Sequence, residues 1–223
     1  MRPHPTRRQT ARDSGTARRR LARASATLAL GALGALVLPA ISLGASAGAT
    51  TSSSLSRYLL KSNEMPGYTV GGHPSTMTTA AGLLEGGSLS RKQRNADIGT
   101  LQKAGFVKAV EESAKGSNVN EGFSIVLQFN NPAGARTGAA LFLQMAKTGQ
   151  SGTKPFTVAG VPSAKGVTVN GGAGGSANAY WFAGNCAFGS GIYDGTALSA
   201  AAVAKPVQTG IKSQAKRVGT TCP

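Results

Sequence analysis

A chain of 223 residues with 40% hydrophobic content is long enough to build one packed core and short for two, so a single domain is expected once a leader is set aside. The formal charge of +16 draws heavily on the first 47 residues; beyond them 16 basic residues stand against seven acidic ones, a balance of +9. Those cations are scattered, with local groups only at 91–94 and 212–217 and no aromatic residues interleaved, which argues against a nucleic-acid interface and leaves a solvated basic surface able to rest on anionic polymers or headgroups.

Residues 1–23 hold eight arginines and one acid, Asp13, and no charge occurs from Ala24 to Leu43. Ala45-Ser46-Ala47 then places small residues where a signal peptidase cuts. This order predicts a signal peptide over 1–47 cut after Ala47, with Ala47-Gly48-Ala49 as an alternative frame and a polar linker over 48–54. Arg18-Arg19-Arg20-Leu21-Ala22-Arg23 resembles a twin-arginine export signal, and that route and general secretion both fit. With no cysteine at the cleavage region there is no lipid-anchor site, so a secreted or envelope location is expected.

The exported domain is expected to occupy 55–223. Ser54 caps a short helix carrying Leu55, Tyr58 and Leu59 that ends near Asn63, and Met65-Pro66-Gly67-Tyr68 makes a turn. The Gly-, Ser- and Thr-rich stretch 71–90 reads as a surface excursion with little structure. Asp97 is the expected cap of a helix through Ile98 and Leu101 that stops at Gly105. Strands follow at 106–111 and 122–129, the second with Phe123, Ile125, Leu127 and Phe129 alternating onto one face. Asn131 and Pro132 open a helix to about Lys147 with Ala135, Ala139, Phe142 and Ala146 at core spacing.

Short strands resume around Phe156 and Val158, Val167 and Val169, Ala179 to Ala183, and Cys186 to Ile192, with hairpin loops at 171–175 and 184–185. Asp194 or Thr196 is the expected start of a last helix, broken or kinked at Pro206, that runs to about Arg217. The order predicts an α+β domain: a central antiparallel β-sheet with helices packed on it. Cys186 and Cys222 are the two cysteines, and an even count in an oxidising compartment predicts one disulfide, closing a loop of about 36 residues.

Leu59-Leu60-Lys61-Ser62-Asn63-Glu64-Met65-Pro66-Gly67-Tyr68, Leu101 to Phe106, Asn131 to Ala135, and Val158-Ala159-Gly160-Val161-Pro162-Ser163-Ala164 occur in that order. Together they resemble exported actinobacterial proteins that include the extracellular sensor domains of mycobacterial serine/threonine kinases. The resemblance spans roughly 55–220 and implies a PsbP-like α/β sandwich with a ligand cleft. No kinase domain is present, and the kinase sensors carry more disulfides, so neither a signalling output nor a preserved cleft is implied.

Constellations for catalysis are scarce. His73 is the one exported histidine and sits in a Gly/Ser/Thr-rich loop without a carboxylate and nucleophile nearby in sequence. Glu111-Glu112 is the one adjacent acidic pair, and strand geometry sends its members to opposite faces. Gly189-Ser190-Gly191 has Phe188 where a nucleophile elbow needs glycine, and the glycines at 171–175 lack the spacing of a phosphate or dinucleotide loop. No catalytic residue, metal site, C-x-x-C pair or cofactor is expected.

Tyr180, Trp181 and Phe182 form the one aromatic concentration; because strand neighbours alternate, one side packs the core and the other is the candidate wall of a cleft for an apolar or sugar ligand. The expected function is a secreted, non-enzymatic, sensor-like domain for a small or wall-derived ligand or an envelope partner. The alternative is a structural protein whose basic face contacts anionic envelope polymers.

Overall fold

Alternating apolar residues between Phe106 and Phe129 force a two-faced hairpin, and the rest of the domain is arranged to cover its two sides. The computed structural model describes residues 55–85, 89–117, 120–148, 150, 152–171, 174–195, 199–220 and 222. The expected signal peptide, its cleavage site, the linker, the Ser54 cap, Thr196 and the centre of the 171–175 loop lie outside them. In chain order the elements are β1 (Thr69–Val70), β2 (Ser75–Met77), α1 (Ala80–Leu83), α2 (Arg91–Lys103), β3 (Phe106–Lys115), β4 (Glu121–Phe129), α3 (Pro132–Lys147), β5 (Thr153–Thr157), β6 (Lys165–Gly171), β7 (Gly174–Ala183), β8 (Cys186–Asp194) and α4 (Ala200–Val218).

The eight strands form one antiparallel sheet in the order β1-β3-β4-β8-β7-β6-β5, with β2 on another stretch of the β3 edge, and the helices pack on it as the α+β reading expects. Register fixes the faces. Val110, Val126, Phe188 and Trp181 are paired in a row, and the next residue on each strand turns to the other side. The first side is closed by α4, through Val203, Val207 and Ile211, and by the N-terminal segment, through Leu55, Leu59 and Met65. The second side carries α1, α2 and α3 over Ala109, Ile125, Leu127, Phe129 and Tyr180.

Several local signals act as expected. The Tyr68 N–H donates to the Met65 carbonyl at 3.0 Å across a turn in which Gly67 has φ of +83°, the conformation that Pro-Gly favours. Asn131 Oδ1 accepts from the Gly134 N–H at 2.8 Å, and Pro132 opens α3. Cys186 and Cys222 are joined by a disulfide, tying the start of β8 to the chain just beyond α4.

Other boundaries differ. At the N-terminal end the backbone is helical only at 55–56 and then closes in i→i+3 turns, with the Tyr58 N–H donating to Leu55 and that of Leu59 to Ser56, so no helix reaches Asn63. The stretch 71–90 is not structureless: it holds β2 and α1, the latter capped by Thr79 Oγ1. Helix α2 starts a full two turns earlier than Asp97, because Ser90 Oγ accepts from the Gln93 N–H; Asp97 is buried inside the helix and accepts from the Gln93 side chain at 2.8 Å. The last helix is capped by Ser199 Oγ rather than Asp194, which is the buried end of β8. It continues unbroken through Pro206, whose missing N–H leaves the Ala202 carbonyl without its helical partner on a solvent-exposed turn.

Candidate functional site

The two faces of the sheet are closed to different degrees. On the α4 side the ring of Trp181 stacks on Phe188 at 4.2 Å between centroids, and its Nε1–H donates to Gln214 Oε1 at 3.1 Å. Gln214 is fully buried and passes the chain of bonds on, its amide donating to the Tyr58 carbonyl at 2.8 Å. Arg217 clamps the N-terminal segment, donating to the carbonyls of Arg57 and Leu59 and pairing with Glu64 at 2.8 Å. Burial pushes the Glu64 carboxyl up, but the Arg217 hydrogen bond, the Lys61 N–H and the two positive charges outweigh it and hold the carboxyl below its ordinary value.

On the opposite side α3 sits close at its N-terminal half and loosely at its C-terminal half. Gly138 makes the close approach possible, since a Cβ there would collide with the Phe129 ring. Beyond it, Leu141, Phe142, Leu143 and Met145 are only partly buried, and so is Phe123 on the strand below. A half-open apolar seam therefore runs between the end of α3 and the sheet.

The seam lies over β8, where Gly189 and Gly191 turn toward it without side chains. A Cβ at Gly189 would lie 2.6 Å from Tyr180 Cε1 and 2.8 Å from Ile125 Cγ2, and one at Gly191 would strike the side chains of Asn178 and Phe123. The glycines thus give Tyr180 and Asn178 from one neighbour, and Phe123 from the other, room to lie flat across the strand. Tyr180 is met from above by Phe142, ring centroids 5.8 Å apart.

Along the register row of Tyr180 and Gly189 come Ile125 and then Glu111. Glu111 is partly buried in this row, between Ile125 and Ser75 of β2, and burial pushes its carboxyl up to about 7. Burial and the Glu111 charge together raise the Tyr180 hydroxyl, which stays protonated. Glu112 turns to the α4 side, as the strand period requires, and burial raises it also.

The three aromatic residues singled out from the sequence are distributed over both faces. Trp181 belongs to the α4-side core. Tyr180 is 7% exposed and forms the floor of the seam. Phe182 is partly buried on the same side, with the Arg136 guanidinium 5.2 Å from its ring centroid. Sequence reasoning weighed Glu111 only as half of an acidic pair, read Phe123 only as part of a buried strand face, and passed over Asn178. The signal that could have found them was Gly189-Ser190-Gly191, since glycines at i and i+2 in a strand leave one face bare.

His73 is exposed in the loop between β1 and β2. Among the described residues no group of three or more His, Cys, Asp or Glu is placed to hold a metal ion, and no helix is long and apolar enough to cross a membrane. No protein-family model matches the chain, and no curated protein matches it. Among solved structures it is similar to the crystal structure of the extracellular domain of PknH from Mycobacterium tuberculosis, with a TM-score of 0.46 and 15% identity, covering 72% of this chain and 94% of that one.

Proposed function

We propose that the chain is exported and that its domain is a non-enzymatic, sensor-like module that binds a small ligand in the seam between α3 and β8. The carrying observation is the contrast within one sheet: the α4 side is sealed, whereas Phe123, Phe142 and Met145 leave large apolar surface part-open beside polar groups of Asn178 and Glu111. Apolar walls with a few convergent polar groups are the usual make-up of a small-molecule site. Export is supported by the arginine-rich start, the uncharged run after it and the disulfide.

A thermal-shift screen of envelope lipids, glycans and metabolites tests the binding reading, since a ligand held by the folded state raises Tm by mass action. A hit whose shift disappears in Phe142→Ala supports the seam; hits indifferent to that change place binding elsewhere. A hydrolytic activity abolished by His73→Ala would overturn the non-enzymatic part.

A second reading is surface association through a basic face. Lys205, Lys212 and Lys216 are exposed and recur along the outer side of α4, a stripe suited to anionic wall polymers. Retention on isolated cell wall that falls steeply with added salt favours this reading, and retention indifferent to salt rejects it.

A further inference from the structure

The N-terminal segment is held as a peptide is held in a receptor groove. None of residues 57–68 belongs to a helix or strand, and apart from their own i→i+3 turns they have no backbone partner among the described residues. Side chains take that role instead. The carbonyls of Arg57 and Leu59 accept from Arg217 at 2.7 and 2.8 Å, the Tyr58 carbonyl accepts from Gln214 at 2.8 Å, and the Leu60 N–H donates to Ser124 Oγ at 2.9 Å. Four consecutive residues are thus gripped through their main chain by α4 and β4, while Leu55, Leu59, Leu60 and Met65, each at most 3% exposed, fill the apolar floor between them. The Ser190 hydroxyl of β8 completes the contact by donating to Met65 Sδ at 3.7 Å. All these partners lie between 64 and 160 residues away in the chain. The short covalent route from the segment to the sheet is Pro66-Gly67, which is exposed, and a side chain at Gly67 would have nothing within 4 Å of its Cβ.

We propose that this groove is a docking site for a second copy of the chain: the 55–65 segment of one copy seats on the α4 side of the other, which returns its own, giving a two-fold pair. The occupant is the peptide the groove is seen to hold, so the exchanged pair keeps all of these contacts and changes only the hinge. Within one copy the segment reaches its groove because Gly67 turns the chain back at φ of +83°, and that turn must straighten for the segment to cross to a neighbour. A residue that resists positive φ therefore favours the pair, and one that tolerates it leaves the balance alone. Tethering gives the segment a high effective concentration at its own groove, so the single copy dominates in dilute solution and exchange grows with protein concentration. The groove lies on the side of the sheet opposite the α3 seam, so the pair leaves both seams uncovered and the inference is independent of the ligand-binding reading.

The test mixes unlabelled and 15N-labelled full chains, equilibrates them just below Tm at rising concentration, treats them with an amine cross-linker and separates monomer from dimer before mass spectrometry. Lys61 and Lys216 are the reporters: both are exposed, and the Lys61 N–H meets Arg217, the neighbour of Lys216, on the Glu64 carboxylate. The expected result is a dimer whose share rises with concentration and whose Lys61–Lys216 links include mixed-isotope pairs, with single-isotope pairs alone in the monomer. Gly67→Val is expected to raise the dimerisation constant at least tenfold, and Gly67→Asn to leave it near the wild-type value. Should Gly67→Val fail to fold, the wild-type concentration series decides alone. No dimer in either chain at millimolar concentration overturns the proposal, and so does a dimer whose Lys61–Lys216 links are all of a single isotope.

Discussion

The same strands present two faces, and the molecule closes one while leaving the other ajar. On the α4 side the sheet meets a 19-residue helix, a clamped N-terminal segment and a disulfide, and its polar groups are consumed in bonds: Trp181 to Gln214, Gln214 to Tyr58, Leu60 to Ser124 at 2.9 Å. On the α3 side the helix approaches closely only at its first half, and large side chains are shared between core and solvent. The first face is thus packed and bonded throughout while the second shares large apolar side chains with solvent, so local opening is expected first on the second.

That division is open to breakage by mutation. The largest effect is expected from Phe188→Ala, which removes a fully buried ring stacked on Trp181 and should cost about 3–5 kcal/mol in urea unfolding. A loss below about 1 kcal/mol would show that the α4 side is not the rigid face. Removing the Cys186–Cys222 bond should cost about 4 kcal/mol by the loop-closure model and lower Tm in the non-reducible double alanine variant as much as reductant does in the wild type.

The two carboxylates sharpen the comparison with opposite pH signs. Glu64 on the α4 side has a lowered folded-state value, so its contribution is present above its ordinary 4.5 and is lost as pH falls through the folded value. Glu111 on the α3 side has a raised one, so stability is full below 4.5 and is lost as pH rises to about 7. Glu111→Gln should accordingly stabilise the protein by about 1–3 kcal/mol at pH 8 and leave it unchanged at pH 4, whereas Glu64→Gln should destabilise it at pH 8. Equal effects at both pH values in denaturant titrations would contradict the assignment. Smallest of all, Phe142→Ala should cost only about 1 kcal/mol, because that ring is already part-exposed.

Much of the scaffold was legible because its signals are local. Period-two alternation in β4, the Asn131-Pro132 start, the Pro66-Gly67 turn and the pair of cysteines each act within a few residues or through covalent chemistry. The start of α2 was missed because its first turn, Arg91-Lys92-Gln93-Arg94, has no apolar periodicity, and the cap at Ser90 had nothing beside it to mark it. β2 and α1 were missed because three- and four-residue elements are stabilised by the edge they lean on rather than by their own pattern. The seam was hidden for a deeper reason: the surroundings of Glu111 are set by Tyr180, three strands away across the sheet, and strand order is not a local property.

The solitary tryptophan makes the sealed side optically distinct. Because Trp181 lies in the α4-side core, its emission is an indicator of whether that half of the molecule is intact, while a guest lodged beneath the end of α3 meets tyrosine and phenylalanine instead. A compound that changes tryptophan fluorescence at constant fold is therefore working through the sheet or behind it, and one that is optically silent but raises Tm is the kind to follow up first.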